Sequence, residues 1–499
     1  MKNKTVKKIP NKSFAIEIKD FSKGLNTVIN ENVLEPQYAV NCYNFSYSNG
    51  ALTSGIGFKE IEIDYSKNIE DKNALTLPAD VNFKKVWQFK HWDNNNLIRR
   101  DKLMVWASDN NVYYVTLYST NPQLEQTLMQ FEEEPQNLNY KLNNIDYNIC
   151  ISTKDAMQIW DGSNNPYTYT TSPDIRSFCA LNAKFYATFG GDRNVIRYTS
   201  NEDLTTWYVA LEGDDKEIEL KDNLGRINKV VSHLNYVYAF RDYGITKISR
   251  SANSVNTSNL FCSGNVIYEN TITICGNEIY FLCRDGIYKF DGSNVKKLDL
   301  KINKFLNGTH NKHAVACFHN NCYYVALKLN FNDDKNLGCE SLDYKNNALI
   351  KYSLENESLE ILRGVDICSL CSIQFDRIEK VVACFNSEYS EFIGEIQNSG
   401  LIFNNSLNSS WQSPLSDLGY SENLKRVREF SINTKYECSV RVFSENEQQI
   451  VNVKPNENVV KYRVNVVGKK IGFEILAQGN SADISNLKLN IDLLEGVVT

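Results

Sequence analysis

Short apolar runs that alternate with polar residues follow one another along the whole chain, separated by Asn, Asp and Gly turns. The clearest unit is Asn277-Glu278-Ile279-Tyr280-Phe281-Leu282-Cys283-Arg284-Asp285-Gly286-Ile287-Tyr288-Lys289-Phe290-Asp291-Gly292. Ile279, Phe281 and Cys283 share one face of a first strand, and Tyr288 and Phe290 share one face of a second. That two-residue period is the period of a strand. Asp285-Gly286 suits the tight turn between them, because glycine accepts the positive φ that hairpin turns need. Related units occur at 110–116, 154–162, 182–200, 235–249, 320–353 and 378–396. A spacing of roughly 40 to 60 residues is the range for propeller blades. One hairpin pair cannot bury its apolar face alone, so the units must stack around a common axis. The pattern predicts an all-β chain whose centre is a β-propeller of about seven blades.

The two ends of the chain read differently. Residues 1–80 are expected to form an arm and a clasp. Within them Pro36 opens a short helix with Tyr38, Ala39 and Cys42 or Tyr43 on its inner face, and a hairpin turns at Asn49-Gly50. The polar stretch 64–80 reads as a loop. Residues 81–400 hold the blade-like units, one of them interrupted by a long polar loop at 330–347. After a linker rich in Asn and Ser, residues 412–499 show evenly spaced alternating strands at 437–443, 459–466, 470–476 and 484–491. These predict a small C-terminal β-sandwich.

Composition agrees with this picture. The 499 residues suffice for two or three domains, and aromatics at 12% favour strands. The net charge of −6 argues against general nucleic-acid binding by charge. Lys2, Lys4, Lys7, Lys8 and Lys12 precede any acid. They read as a solvated tail, the other reading being an arm that docks on an acidic partner or on packaged DNA. No apolar stretch approaches about 18 residues, so no membrane segment is expected, and no secretory signal is visible. The 13 cysteines are odd in number and sit mostly in apolar runs, as buried reduced thiols do.

Two segments carry a resemblance. Phe21-Ser22-Lys23-Gly24-Leu25-Asn26-Thr27, then Ala39 to Asn44, then Asn49-Gly50-Ala51-Leu52-Thr53-Ser54-Gly55-Ile56-Gly57 resemble the opening of propeller-bearing virion proteins of tailed bacteriophages, of the tail hub, nozzle or neck type, stabilisation proteins among them. Thr53 and Ser54 stand where those proteins carry arginine or lysine. Arg197 to Trp207 is similar to a blade motif of the same proteins, in which a serine and acids precede a tryptophan, and the stretch from Trp411 to Arg426 is similar to the start of their sandwich. The resemblance implies a structural virion protein without catalysis. It would be assembled in the host cytoplasm as a ring of its own copies, in contact with portal, adaptor or tail proteins and in passing with phage DNA. It singles out Phe21, Gly24, Leu25, Asn26, Asn49, Gly50 and Trp207 as assembly residues. From the net charge, an acidic inner wall is expected, along which DNA would slide.

Candidate chemistry is sparse, and no catalytic residue, metal or cofactor is assigned. His310, His313, Cys317, His319 and Cys322 are metal-like residue types at short spacing, but strand geometry spreads them over about 20 Å. Cys368 and Cys371 form a lone C-x-x-C in a strand-like run, where residues three apart face opposite sides. Ser200 to Trp207 also resembles the turn of sialidase propellers, with Glu202 and Leu204 for the usual aspartate and glycine, and that turn is structural even there. Glycosidase chemistry needs two carboxylates about 5 to 9 Å apart, which a sequence does not display. No nucleotide-binding, serine-hydrolase or zinc-protease motif is present. The alternatives to a structural virion protein are a receptor- or glycan-binding propeller and, third, a propeller glycosidase.

Overall fold

The computed structural model describes residues 10–61, 77–117, 123–191, 193–200, 202–204, 206–207, 217–251, 254–306, 309–331, 343–375, 378–456, 459–478 and 480–494. Six antiparallel four-stranded sheets follow one another along the chain, and a seventh, larger sheet completes the series. The first blade comprises Phe83–Phe89, Lys102–Ala107, Asn111–Thr116 and Glu125–Gln130. Blades two to six start at Gln136–Leu142, Ile175–Leu181, Ile227–His233, Thr273–Cys275 and Val315–His319. The seventh holds Ile367–Phe375, Ile378–Phe385 and Ile393–Gln397. First strands pack side by side from blade two to four and from blade five to seven, those of blades seven and one close the ring, and apolar cores join blade one to two and four to five. The fold is a seven-bladed β-propeller joined to a β-sandwich, and each recurrent unit of the sequence falls in a different blade.

The turn chemistry explains why the pattern was visible. The turn after the first strand has both central residues at positive φ in blade two (Asn143, Asn144), blade three (Asn182, Ala183), blade four (Leu234, Asn235) and blade six (Asn320, Asn321). Such turns match the right-handed twist of the strands, and asparagine tolerates that conformation best after glycine. Leu234 is the poor fit, with φ of 47° and half its surface exposed. Leu234→Asn is expected to stabilise the protein by about 0.5 kcal/mol in chemical denaturation, the relieved strain outweighing the lost contact of its half-buried side chain with Gly292. A second device recurs before the fourth strand. Asp161 Oδ1 accepts hydrogen bonds from the backbone N–H groups of Ser163 and Asn164 at 2.9 and 2.8 Å, and Asp291 does the same for Ser293 and Asn294 at 2.8 and 2.6 Å.

The fourth strand of blade seven comes from the other end of the sequence. Gly57–Glu60 pairs antiparallel with residues 394–397 and accepts a further short strand, Leu401–Ile402, on its outer side. The ring is thus closed by a strand that precedes blade one. Blades are joined by apolar cores, such as Phe83, Val86, Leu103 and Val105 of blade one against Ile373, Val382 and Cys384 of blade seven. They are also joined by a repeated hydrogen bond. Ser177 Oγ accepts the N–H of Val230 in the next blade at 3.1 Å, and Ser369 Oγ accepts that of Val86 at 3.2 Å.

The sandwich is built from both termini. One sheet contains Pro10–Ile18, Phe45–Ser48, Ala51–Ser54, Leu424–Thr434, Lys461–Gly468 and Asp483–Leu494. The other contains Asn41–Tyr43, Asn408–Gln412, Cys438–Ser444, Gln448–Val453 and Ile471–Gln478. The N-terminal segment expected as a separate arm and clasp therefore supplies strands to the sandwich from residue 10 onward. The helix expected after Pro36 is absent. Tyr38 N–H closes a turn on Glu35 O at 3.1 Å, and Asn41–Tyr43 pairs with residues 410–412. One helical turn would fix several residues for a single hydrogen bond, whereas strand pairing there extends a five-stranded sheet. A continuous core runs from the sandwich, through Trp411 and Phe473, into blades five and six, through Tyr280 and Tyr323.

Candidate functional site

The residues singled out by the resemblance meet at the junction between sandwich and propeller, with one exception. Phe21 is fully buried and packs edge-on against Trp411 at 5.2 Å between ring centroids. Its N–H donates to Gly50 O at 2.9 Å. Asn49 and Gly50 form the expected hairpin turn, with φ of 50° and 79°. Gly24, at φ of 65°, and Leu25 lie against Ala39, and Asn26 Oδ1 accepts the N–H groups of Val28 and Ile29 at 3.2 and 3.3 Å. These contacts are internal, so the motif organises the chain's own N-terminal segment. Trp207 lies apart, buried with Phe178 and Phe185 in the core between blades two and three. The preceding turn is held by Thr206 Oγ1, which accepts the N–H of Ser200 at 2.8 Å.

A polar constellation gathers at the starts of the first strands, at the mouth of the central channel. A β-bulge recurs at the second residue of the first strand in blades one, three, four and seven, at Lys84, Arg176, Asn228 and Cys368. Bulges re-aim side chains and are common beside functional sites. A cavity of about 310 Å³ lies there, lined by Glu133, Glu134, Arg176, Asn228, Lys229 and Glu269, among others. Arg176 Nη2 donates to both Glu269 carboxylate oxygens at 2.5 and 2.6 Å. Lys85 pairs with Glu134 at 2.8 Å, and Lys154 with Glu133 at 3.0 Å. Lys229 Nζ donates to the carbonyls of Ile272 and Glu269 at 3.1 and 3.3 Å.

Burial in this crowded mouth, with the Lys85 charge nearby, pushes the Lys229 amine down to about 8 from its ordinary 10.5. Hydrogen bonds from Thr153 and Lys154 hold Glu133 below its ordinary value, while burial raises Asp174. Below pH 8 both folded and unfolded chains carry the Lys229 proton, and the folded state bears the full cost of burying it. Between about 8 and 10.5 the folded amine is neutral while the unfolded one is still charged, so the folded state gains. The stability of the wild type relative to Lys229→Met is therefore expected to rise across that window, measured by denaturation at a series of pH values. A flat difference would contradict the assignment.

The acidic inner wall expected from net charge is not found in the propeller's own channel. The seven innermost strands carry Lys84, Lys85, Lys141, Arg176 and Lys229 and no carboxylate. The acids lie on flanking loops. Whole-chain charge does not reveal such segregation, but the blade starts Phe83-Lys84-Lys85, Ile175-Arg176-Ser177 and Ile227-Asn228-Lys229 carry it in register.

The other chemical candidates are dispersed. His310 and His313 are exposed, Cys317 and Cys322 lie in the core between blades six and seven, and His319 Nδ1 is 3.6 Å from Glu379. Among the described residues no group of three His, Cys, Asp or Glu side chains is placed to hold a metal ion. Cys368 Sγ donates to Lys84 O at 3.3 Å and Cys371 Sγ to Ser372 O at 3.3 Å. Both thiols are free, and burial pushes them up to about 12 and about 11, the reverse of a reactive thiol. No described helix is long and apolar enough to cross a membrane.

No protein-family model matches the chain, and no curated protein does. Among solved structures, crystal structures of BBS1N in complex with ARL6DN, soaked with lead or with mercury, are similar at a TM-score of 0.39 and 8% identity. The similarity covers 60% of this chain and 86% of BBS1N.

Proposed function

We propose that the protein is a structural component of a tailed-bacteriophage virion, of the tail hub, nozzle or neck type. It is assembled in the host cytoplasm and acts by joining copies of itself and other virion proteins, such as portal, adaptor or tail proteins, rather than by catalysis. The sequence resemblance supplies the virion context. A surface patch carries the assembly role. The hairpin Trp92–Asp93 and Ile98–Arg99 stands out from blade one and exposes Trp92, Leu97 and Ile98, with Leu97 at 71%. It leans on the first hairpin of blade two, where Trp92 N–H donates to Asp146 at 2.8 Å and Asn94 Nδ2 to Asn144 O at 2.8 Å. The exposed Ile145 extends the patch.

Exposed apolar groups gathered on one rim mark contact surfaces, and heterologous contacts of this kind close into rings when the rotation permits. The N-terminal segment from residue 10 is engaged within its own chain, which leaves the rim to meet neighbours. Leu97→Asp with Ile98→Asp is expected to abolish self-association of the full chain in sedimentation velocity while leaving its melting temperature within a few degrees. Assembly unchanged by this pair would reject the rim as the contact.

A further inference from the structure

A groove of about 230 Å³ opens on the same rim between blades three and four. We propose that it binds a single carboxylate-bearing sugar residue, such as the uronic or sialic acid of a surface glycan. Arg250, on the third strand of blade four, reaches across and lies over the ring of Tyr198 in blade three, 4.8 Å from its centroid. Lys184 lies 5.7 Å from the centroid of the same ring. Tyr186 lies in the groove wall beside Arg250, and its hydroxyl pKa is raised by burial and drawn back by the Arg250 charge. Two cations therefore gather at one aromatic ring, and none of the described residues lining the groove is acidic. Arg250 is exposed and makes no ion pair with a described carboxylate.

The rest of the groove suits a sugar ring. Leu181 and Val255, both part-exposed, offer an apolar edge above the buried Val237 and Ile248. Asn182 and Asn235, the exposed turn residues of the two blades, supply amide donors and acceptors at the lip. The volume falls short of the roughly 300–1,000 Å³ typical of larger ligands, which limits the occupant to about one ring. A guanidinium binds a carboxylate with two parallel hydrogen bonds, which a lysine does not reproduce. The turns that place both asparagines are the same positive-φ turns that build the blades. This site does not depend on the virion role.

The test is titration of the full chain with glucuronic acid, N-acetylneuraminic acid, glucose and inorganic phosphate, followed by saturation-transfer NMR or calorimetry. The acidic sugars are expected to bind saturably and glucose about tenfold or more weakly. Arg250→Ala is expected to lose at least about tenfold in affinity for the acidic sugars, and Arg250→Lys, which keeps charge and folding, to lose part of it. Saturable binding that Arg250→Lys weakens would support the site even if Arg250→Ala failed to fold. The proposal is overturned if the acidic sugars do not saturate, if glucose binds equally, or if Arg250→Lys binds as the wild type does. Phosphate competing as well as the sugars would overturn the saccharide assignment.

Discussion

Phe58→Ala is expected to destabilise the folded protein by about 3–5 kcal/mol in chemical denaturation, the range for an aromatic side chain deleted from a packed core. Phe58 has no exposed surface and meets Phe385 edge-on at 5.0 Å between centroids. It also pairs with Ile396 on one side and Ile402 on the other. The space it fills is shaped for it. A Cβ on Gly394 would come within 2.8 Å of Phe385 and 3.0 Å of Phe58. The strand Gly57–Glu60 is the one that joins the sequence before blade one to blade seven. A void there weakens the closure of the whole ring as well as one local contact. Phe58→Leu, which keeps most of the volume, is expected to cost clearly less. Equal costs for the two changes would mean that packing at this strand does not govern closure.

The second large effect is expected at Glu474, on the inner strand Ile471–Gln478 of the five-stranded sandwich sheet. Its side chain is fully buried, Ser410 Oγ donates to Oε1 at 2.6 Å, and Arg441 Nη2 lies 2.6 Å from Oε2. Burial lowers the Arg441 pKa without removing its charge at ordinary pH. Glu474→Ala removes the fully buried partner of a guanidinium that is itself part-exposed and also bonds Gln448, so the expected cost is about 1.5–3 kcal/mol, that of a hydrogen bond to a charged group. Removing both charges, as in Glu474→Met with Arg441→Leu, is expected to recover most of the loss, because desolvation of the pair offsets much of its attraction. A double variant as unstable as Glu474→Ala would place the cost in lost packing instead.

These two sites also show what local pattern conveys. The propeller was legible because four blades repeat the same turn chemistry, as Asn182-Ala183 and Asn320-Asn321 do at equivalent places. The late strands were legible from alternation, clean over 437–443 and, after a break at Asn486, over 487–491. What escaped was partner choice across the length of the chain. Gly57 pairs with Gln397 and Pro10 with Leu494, and nothing near either residue states which distant strand will receive it. Alternation says that a segment is a strand, and the receiving edge is settled only by the assembled core.

The channel mouth was half legible. Ile175-Arg176-Ser177 and Ile367-Cys368-Ser369 carry both the bulge and the serine that bonds to the next blade. Blade-by-blade alignment would have exposed that register, whereas charge counted over the whole chain concealed it. The assembly residues named from the resemblance proved to be neighbours in space, at Phe21, Gly24, Leu25, Asn26, Asn49 and Gly50, because one hairpin and one loop bring them together. Trp207 shares no contact with them and serves the blades alone.

The most direct test of the assembly role is electron microscopy of the purified full chain over a range of concentrations, with class averages of the particles. The account predicts ring-shaped oligomers in which propeller rims meet side by side, lost in the Leu97→Asp, Ile98→Asp variant. Single propeller-plus-sandwich particles at every concentration, unchanged by that variant, would contradict it.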